Sequence, residues 1–465
     1  MRLLIKNGII VTMDSSRRIV RDGAVAVEGD TIAAVDKASK LVDFPADRVI
    51  DAEGNIIMPG FVDTHHHHWE TIPRGIADDV PLHVLTERLY PFGVAVSEED
   101  VYLSAMLSCI EHIRHGTTCS LDPGGPHMDG VGQAIADSGM RGVISYFGAD
   151  LFAGDIKESQ NVPANWPGKL STDQVLAEEE RLFKRWNGFA QGRLRFCYGL
   201  HREFQVSPRL FEGVKRLADR DGTIIQMHTA VTPERVQWFE GKYGLTPVEY
   251  LESLKVLDSR WLFIHLVVLS DKEVDLCAAR GVRVSHAPGA SAHGTYGAIS
   301  RGKFPELLRK GVIISLSSDS AVADNTFDMF RLMYMASTLH KEVRLIPDLI
   351  PPEKALEMAT IDGARALMWD DQIGSLEKGK KADFSIVDSH GPNWRPLHDF
   401  NIIGNLVYSG AGDDVLTTVV GGNVLYENRR FKHINVAQIL ERAQEASERL
   451  FSRMPYRLRP RWPVT

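Results

Sequence analysis

Between residues 57 and 318 the sequence repeats one pattern, a short apolar run followed by a stretch of helical periodicity. Eight such runs can be placed, at 57–63, 117–121, 142–147, 194–199, 223–228, 261–265, 282–286 and 312–318. Short apolar strands separated by helices make parallel βα units, and eight of them close into a (β/α)8 TIM-like barrel. In such a barrel the C-terminal strand ends carry the site. His65, His67, His201, His228, His265, His286 and Asp319 all fall at those ends.

The chain ends read differently. Residues 3–8, 24–30 and 31–35 alternate apolar and polar positions between Gly and Asp turns, and the texture returns at 382–388 and 416–426. That is antiparallel β structure, and two separated segments of it most simply build one small β domain. The expected α/β organisation is residues 1–58 as the first part of a β-sandwich, 59–370 as the barrel, 371–430 as the second part of the sandwich, and 431–465 as a C-terminal helix and tail. Residues 435–453 place Val436, Ile439, Leu440, Ala443 and Leu450 on one helical face, to pack on the protein or on a second subunit. Residues 153–173 lack a clear period and read as a surface insertion rather than a lid.

A chain of 465 residues with 44% hydrophobic and 25% charged residues suits a globular enzyme with an accessory domain. Its net charge of -8 gives no electrostatic reason to bind nucleic acid or an anionic membrane, so the expected partner is a small-molecule substrate. The N-terminus enters a strand without the apolar core of a signal peptide, and no uncharged run is long enough to span a bilayer. A cytoplasmic location is expected. Cys109, Cys119, Cys197 and Cys277 are scattered, without CxxC pairs, and read as buried thiols.

Four consecutive histidines, His65 to His68, end the first apolar run. Alternate residues of a strand point the same way, so two imidazoles at spacing two can close on one metal ion. A surface histidine patch is the other reading of the cluster alone. The residues by themselves also leave open which pair, His65 with His67 or His66 with His68, faces the site.

From Pro59-Gly60-Phe61-Val62-Asp63-Thr64-His65-His66-His67 onward, the chain resembles the amidohydrolase superfamily, in its branch of aminoheterocycle deaminases and chlorotriazine- or phenylurea-type hydrolases. The likeness runs in order through Arg74-Gly75-Ile76, His115-Gly116-Thr117-Thr118, Tyr243-Gly244-Leu245-Thr246-Pro247, Ser318-Asp319-Ser320-Ala321 and Gly374-Ser375-Leu376-Glu377-Lys378-Gly379. It implies a mononuclear site with His65, His67, His228 and Asp319 as metal ligands, His265 beside the attacked group, and His201 against the substrate. Asp319 then doubles as the proton carrier, and a family of this kind is commonly homo-oligomeric. One divalent ion per subunit is expected, with zinc first and Fe²⁺, Co²⁺ or Mn²⁺ compatible with the same donors. No lysine lies in 194–199 to bridge a second ion.

Three positions depart from the family pattern. The glutamate three residues after the fifth-strand histidine, which handles protons at a substrate ring nitrogen, is replaced by Val231. Gly93 stands where nucleoside deaminases hold ribose with a carboxylate, which argues against nucleosides. His201 is followed by Arg202-Glu203-Phe204 instead of Ala-Pro-Tyr. Trp69 and Glu70 are unusual just after the histidines: Trp69 suits stacking on a ring, and Glu70 is either a substitute acid or a solvated loop carboxylate. His286 and His293 are further candidates for substrate contact.

The expectation is therefore a metal-dependent hydrolase of non-peptide C–N bonds. It leans to amides, ureas or (thio)carbamates, whose leaving amine Asp319 can protonate. An aminohydrolase of a purine, pterin or triazine, using Glu70 or Glu203 as acid, is the alternative, and a non-catalytic metal-binding barrel is the third.

Overall fold

The computed structural model describes residues 1–152 and 156–464. Eight parallel strands form the barrel: Phe61–Asp63, Thr117–Asp122, Arg141–Ile144, Leu194–Phe196 continuing as Tyr198–Arg202, Ile225–Thr229, Trp261–His265, Arg283–His286 and Ile313–Leu316. The fourth strand bends at Cys197, so its first half pairs with the third strand and its second half with the fifth. The last strand returns to the first through Thr64 N–H to Leu316 O at 3.3 Å, Asp319 N–H to His65 O at 2.9 Å and His67 N–H to Asp319 O at 2.7 Å. These bonds link the first and last strand ends and tie the two expected metal-binding segments together.

The first apolar run divides between two sheets. Ile56–Pro59 lies in the sheet built by the chain ends, and Phe61–Asp63 lies in the barrel. Alternation distributes its side chains: Ile57 packs in the core of the end-built sheet, while Ile56 and Met58 face the large core shared with the barrel helices. Gly60 makes the transfer possible, because a Cβ there would lie 2.1 Å from the Thr118 side chain.

Both chain ends join in one nine-stranded sheet. Arg2–Val11 pairs in parallel with Ile56–Pro59, which pairs antiparallel with Phe384–Val387. A buried ion pair fastens this sheet to the barrel: Arg141 donates to Asp383 through Nε at 2.7 Å and Nη2 at 3.0 Å.

The C-terminal helix, Val436–Ser452, packs on the helix Glu98–Arg114. Its buried face is Ile439, Ala443, Ala446 and Leu450; the expected Leu440 is instead more than half exposed. Arg442 and Arg449 on this helix pair with Glu99 and Asp100 of the other. All four cysteines are buried free thiols. Among the described residues, no helix is long and apolar enough to cross a membrane.

Candidate metal centre and active site

Three strand ends and the loop after the first strand bring their side chains to one point. The Nε2 atoms of His65 and His67 lie 3.1 Å apart, and Asp319 Oδ1 is 3.5 Å from the first and 3.4 Å from the second. His265 Nε2 is 3.7 Å from Asp319 Oδ2. His228 gives its Nδ1–H to the His201 carbonyl at 2.9 Å, which leaves its Nε2 free toward the ring of His65, 4.7 Å away centre to centre. Two overlapping groups of potential ligands result, His65 with His228 and His265, and His65 with His67 and Asp319. The backbone bends sharply to deliver them: His265 has φ of 69° and Asp319 φ of 64°, a left-handed conformation that costs a non-glycine residue energy and clusters at functional sites.

Burial keeps these imidazoles neutral, as metal ligation requires. It pushes His65 down to about 3, and His265 to about 3 despite the opposing charge of Asp319. His67, His228 and His201 are held well below the usual histidine range, again chiefly by burial. Neutral nitrogens and a carboxylate converging at such distances fit a divalent ion of the zinc type.

His66 and His68 point the other way, into a hydrogen-bonded network behind the site. His66 engages Ser318 at 2.8 Å through Nδ1 and Ser108 at 2.7 Å through Nε2. His68 engages Asp122 at 3.0 Å and Ser120 at 3.1 Å. His112 contributes Nε2 to Asp63 at 3.2 Å, and Ser318 donates to the same Asp63 carboxylate. These three histidines are close enough together to hold an ion, but each ring nitrogen already has a protein partner. The network orients the loops that carry the ligands. No histidine of the tetrad forms a surface patch, because all four are buried.

Above the ligands lies a cavity of about 660 Å³ of non-atom space, part of it open to solvent. His67, His201, His228, His265 and Asp319 form its floor with Trp69 and Glu70, and Tyr90, Phe147, Trp166 and Tyr296 supply aromatic walls. Glu70 is thus a buried carboxyl of the cavity and not a solvated loop residue: its Oε1 is 3.5 Å from His67 Nδ1, and Ser320 lines the cavity with it. His201 stacks on Phe147 with ring centres 4.2 Å apart. Val231 also lines the cavity, so the position of the family glutamate is apolar.

Gly93 lies behind the wall. A Cβ there would come within 2.7 Å of Trp166 and 3.1 Å of Trp69, so two indoles take up the space of the absent side chain. Trp69 is further seated by Gly125, whose Cβ would lie 2.5 Å from the indole.

Two of the candidates are not brought to the cavity. His286 stacks on Phe304 at 3.9 Å and meets His340 Nε2 at 3.3 Å, facing the helix Met329–Arg344, because it lies on the outward side of the seventh strand. His293 is fixed by the Ala323 carbonyl at 2.7 Å and does not line the cavity. Conversely, Arg202, Arg235, Tyr296, Trp166 and Ser320 line it without having been singled out as ligand-contacting residues. The replacement of Ala-Pro-Tyr after His201 was the one available signal for Arg202. Trp166 comes from the stretch read as a surface insertion; residues 153–155 of that stretch lie outside the described residues.

A parallel barrel whose strand ends converge imidazoles and a carboxylate beneath an aromatic-walled cavity defines a metal-dependent hydrolase. The chain belongs to the amidohydrolase family, whose model matches residues 56–425, and acts on carbon–nitrogen bonds. It is 33% identical over 455 residues to a 5'-deoxyadenosine deaminase of Methanosarcina mazei, covering 97% of this chain and 99% of that one. It is 32% identical over 456 residues to a 5-methylthioadenosine/S-adenosylhomocysteine deaminase of Thermoanaerobacter pseudethanolicus, covering 97% and 100%. The structure of a zinc-bound adenosine deaminase from Xanthomonas campestris superposes with a TM-score of 0.88 at 28% identity, over 97% of this chain and 98% of the other. A zinc complex of an atrazine chlorohydrolase from Arthrobacter aurescens shares the fold, with a TM-score of 0.86 at 22% identity over 96% of this chain and all of the other.

Proposed function

We propose that the enzyme is an aminohydrolase that replaces an exocyclic amino group of a nitrogen heterocycle by oxygen, with zinc as its metal. The observation that carries this reading is the position of Glu70. The loop after the first strand delivers a buried carboxyl into the cavity beside His67 and Ser320, where it can act in place of the acid that Val231 lacks. The full-length similarity to deaminases supports the same chemistry.

His65, His67, His228 and Asp319 would hold the ion, which would lower the pKa of water so that hydroxide is available near neutral pH. Asp319 Oδ2, facing His265 Nε2 at 3.7 Å, is placed to take the proton of the attacking water and give it to the leaving nitrogen. Glu70 would protonate the ring nitrogen as the carbon becomes tetrahedral. His201, held against Phe147, would hydrogen-bond a substituent of the ring, and Trp69 and Tyr296 would offer it aromatic surface. The indoles packed over Gly93 favour a free heterocycle over a ribosylated one.

Val231 favours a second reading, attack on the carbonyl carbon of an amide, urea or (thio)carbamate, where no ring nitrogen needs a proton. Mass spectrometry of products from zinc-loaded protein and a mixed panel of both substrate types separates the two. An intact ring with oxygen in place of the amino group supports the aminohydrolase, and release of an amine plus an acid fragment supports carbonyl cleavage. Under the first reading Glu70→Gln lowers kcat by roughly 10²–10⁴; under the second it changes kcat by less than about tenfold. No turnover of any member of the panel would overturn both.

A further inference from the structure

We propose that Arg202 forms an anion subsite in the cavity, so that the substrate or product carries a carboxylate beside the heterocyclic ring; this rests on the reading of the cavity as the substrate site. Arg202 directly follows His201 at the end of the fourth barrel strand and lines the cavity while only 8% exposed. A guanidinium removed from water that far is costly unless its charge is matched.

Among the described residues its neighbours match it only in part. Arg202 Nη1 donates to the neutral Tyr90 hydroxyl at 2.9 Å. Among the described residues its one ion-pair partner is Glu158, 3.8 Å from Arg202 Nε and beyond hydrogen-bond range. Glu158 is instead held by Arg235, which donates Nε to Oε1 at 3.1 Å and Nη2 to Oε2, so that one carboxylate serves two buried guanidinium groups. Glu203, the next residue along the chain, does not line the cavity, and burial pushes its carboxyl toward the neutral form. The cavity's own carboxylates lie toward the histidine cluster, Glu70 3.5 Å from His67 and Asp319 3.5 Å from His65 and 3.4 Å from His67. Among the described residues neither forms an ion pair with Arg202.

Two guanidinium groups, Arg202 and Arg235, thus share one carboxylate at this end of the cavity, and Arg202 keeps donors to spare. Planar, forked donors of this kind recognise a carboxylate through two parallel hydrogen bonds. A heterocycle bearing a carboxylate would place its ring against the aromatic walls and its anionic group on Arg202.

Nicotinate and nicotinamide are planar, nearly isosteric probes that differ in charge, and their binding is measurable by calorimetry without turnover. Metal-free protein is expected to bind nicotinate at least about tenfold more tightly than nicotinamide. Arg202→Gln should abolish that preference, and Arg202→Lys, which keeps the charge and loses the fork, should retain part of it. Equal affinities, no binding of either probe at millimolar concentration, or a preference that survives Arg202→Gln would overturn the proposal. A preference seen only with metal present and untouched by Arg202→Gln would assign the carboxylate to the ion and also overturn it. Because binding is read without catalysis, a failed anion preference and a failed deamination assay are separate results.

Discussion

Removing the Arg141 guanidinium should unfasten the end-built sheet from the barrel. Arg141→Met preserves much of the side-chain volume and leaves the Asp383 carboxylate with one remaining donor, the backbone N–H of Gly421 at 2.8 Å. Both partners of the native pair are 2% exposed at the side chain, and the pair is bidentate, so solvent screening is minimal. Breaking a buried pair by deleting one member costs about 3–5 kcal/mol, most of it from the charge left behind. Changing both members, Arg141→Met with Asp383→Leu, removes the stranded charge, and most of that loss should return. Urea unfolding followed by tryptophan fluorescence is a suitable assay, because Arg141 lies over Trp369, 5.2 Å from the ring centre. A single-variant loss below about 1 kcal/mol, or a double variant less stable than the single, would refute the argument that Asp383 depends on a cation in a dry site.

Other perturbations test the site directly. Asp319→Asn should retain most of its metal by elemental analysis, since His65, His67 and His228 persist, yet lose turnover by several orders of magnitude; a near-normal rate would mean that another group carries the proton. His66→Leu should leave metal content unchanged and lower stability by about 1–3 kcal/mol, because Ser108 and Ser318 each lose one of their two side-chain partners in a buried network; loss of the metal would reverse the assignment of the two histidine pairs. Asp324 is buried, and desolvation raises its carboxyl to about 8. The folded protein then holds a proton that the unfolded chain releases near pH 3.9, so this group's contribution to stability is intact below that value and declines as pH rises toward 8. Denaturation across that window should show Asp324→Asn flattening the decline, and an unchanged slope would exclude Asp324 as its source.

The sequence made the barrel legible because its strands are apolar and its crossovers helical, and because histidines mark the strand ends. Where the first strand stops was not legible. Val62 and Thr64 share the inward side, Val62 in the core with Leu121 and Ile264 and Thr64 bonded to Ser285 and Ser315 at 2.8 Å. Continued alternation would have turned His66 and His68 inward. The strand ends at Asp63, the chain bends at Thr64, and the phase slips by one, which puts His65 and His67 beside Asp319. No local residue pattern encodes that slip; the resemblance to a family supplied it. His286 misled for the complementary reason, since a histidine at a strand end can face the helices as well as the centre. The cavity walls come from loops and helices distant in sequence, such as Tyr90, Trp166, Arg235 and Tyr296, and periodicity carries no information about which of these meet.

The burial of the four adjacent histidines also affects how the protein can be handled. His65, His66 and His68 are fully enclosed and His67 is 5% exposed, so the folded chain offers none of them to an immobilised nickel surface. Once the first barrel strand detaches, the same segment becomes a compact run of four imidazoles. Capture on nickel resin through this run would then select molecules whose barrel has opened, and the retained fraction would count unfolded chains in a preparation without any added tag.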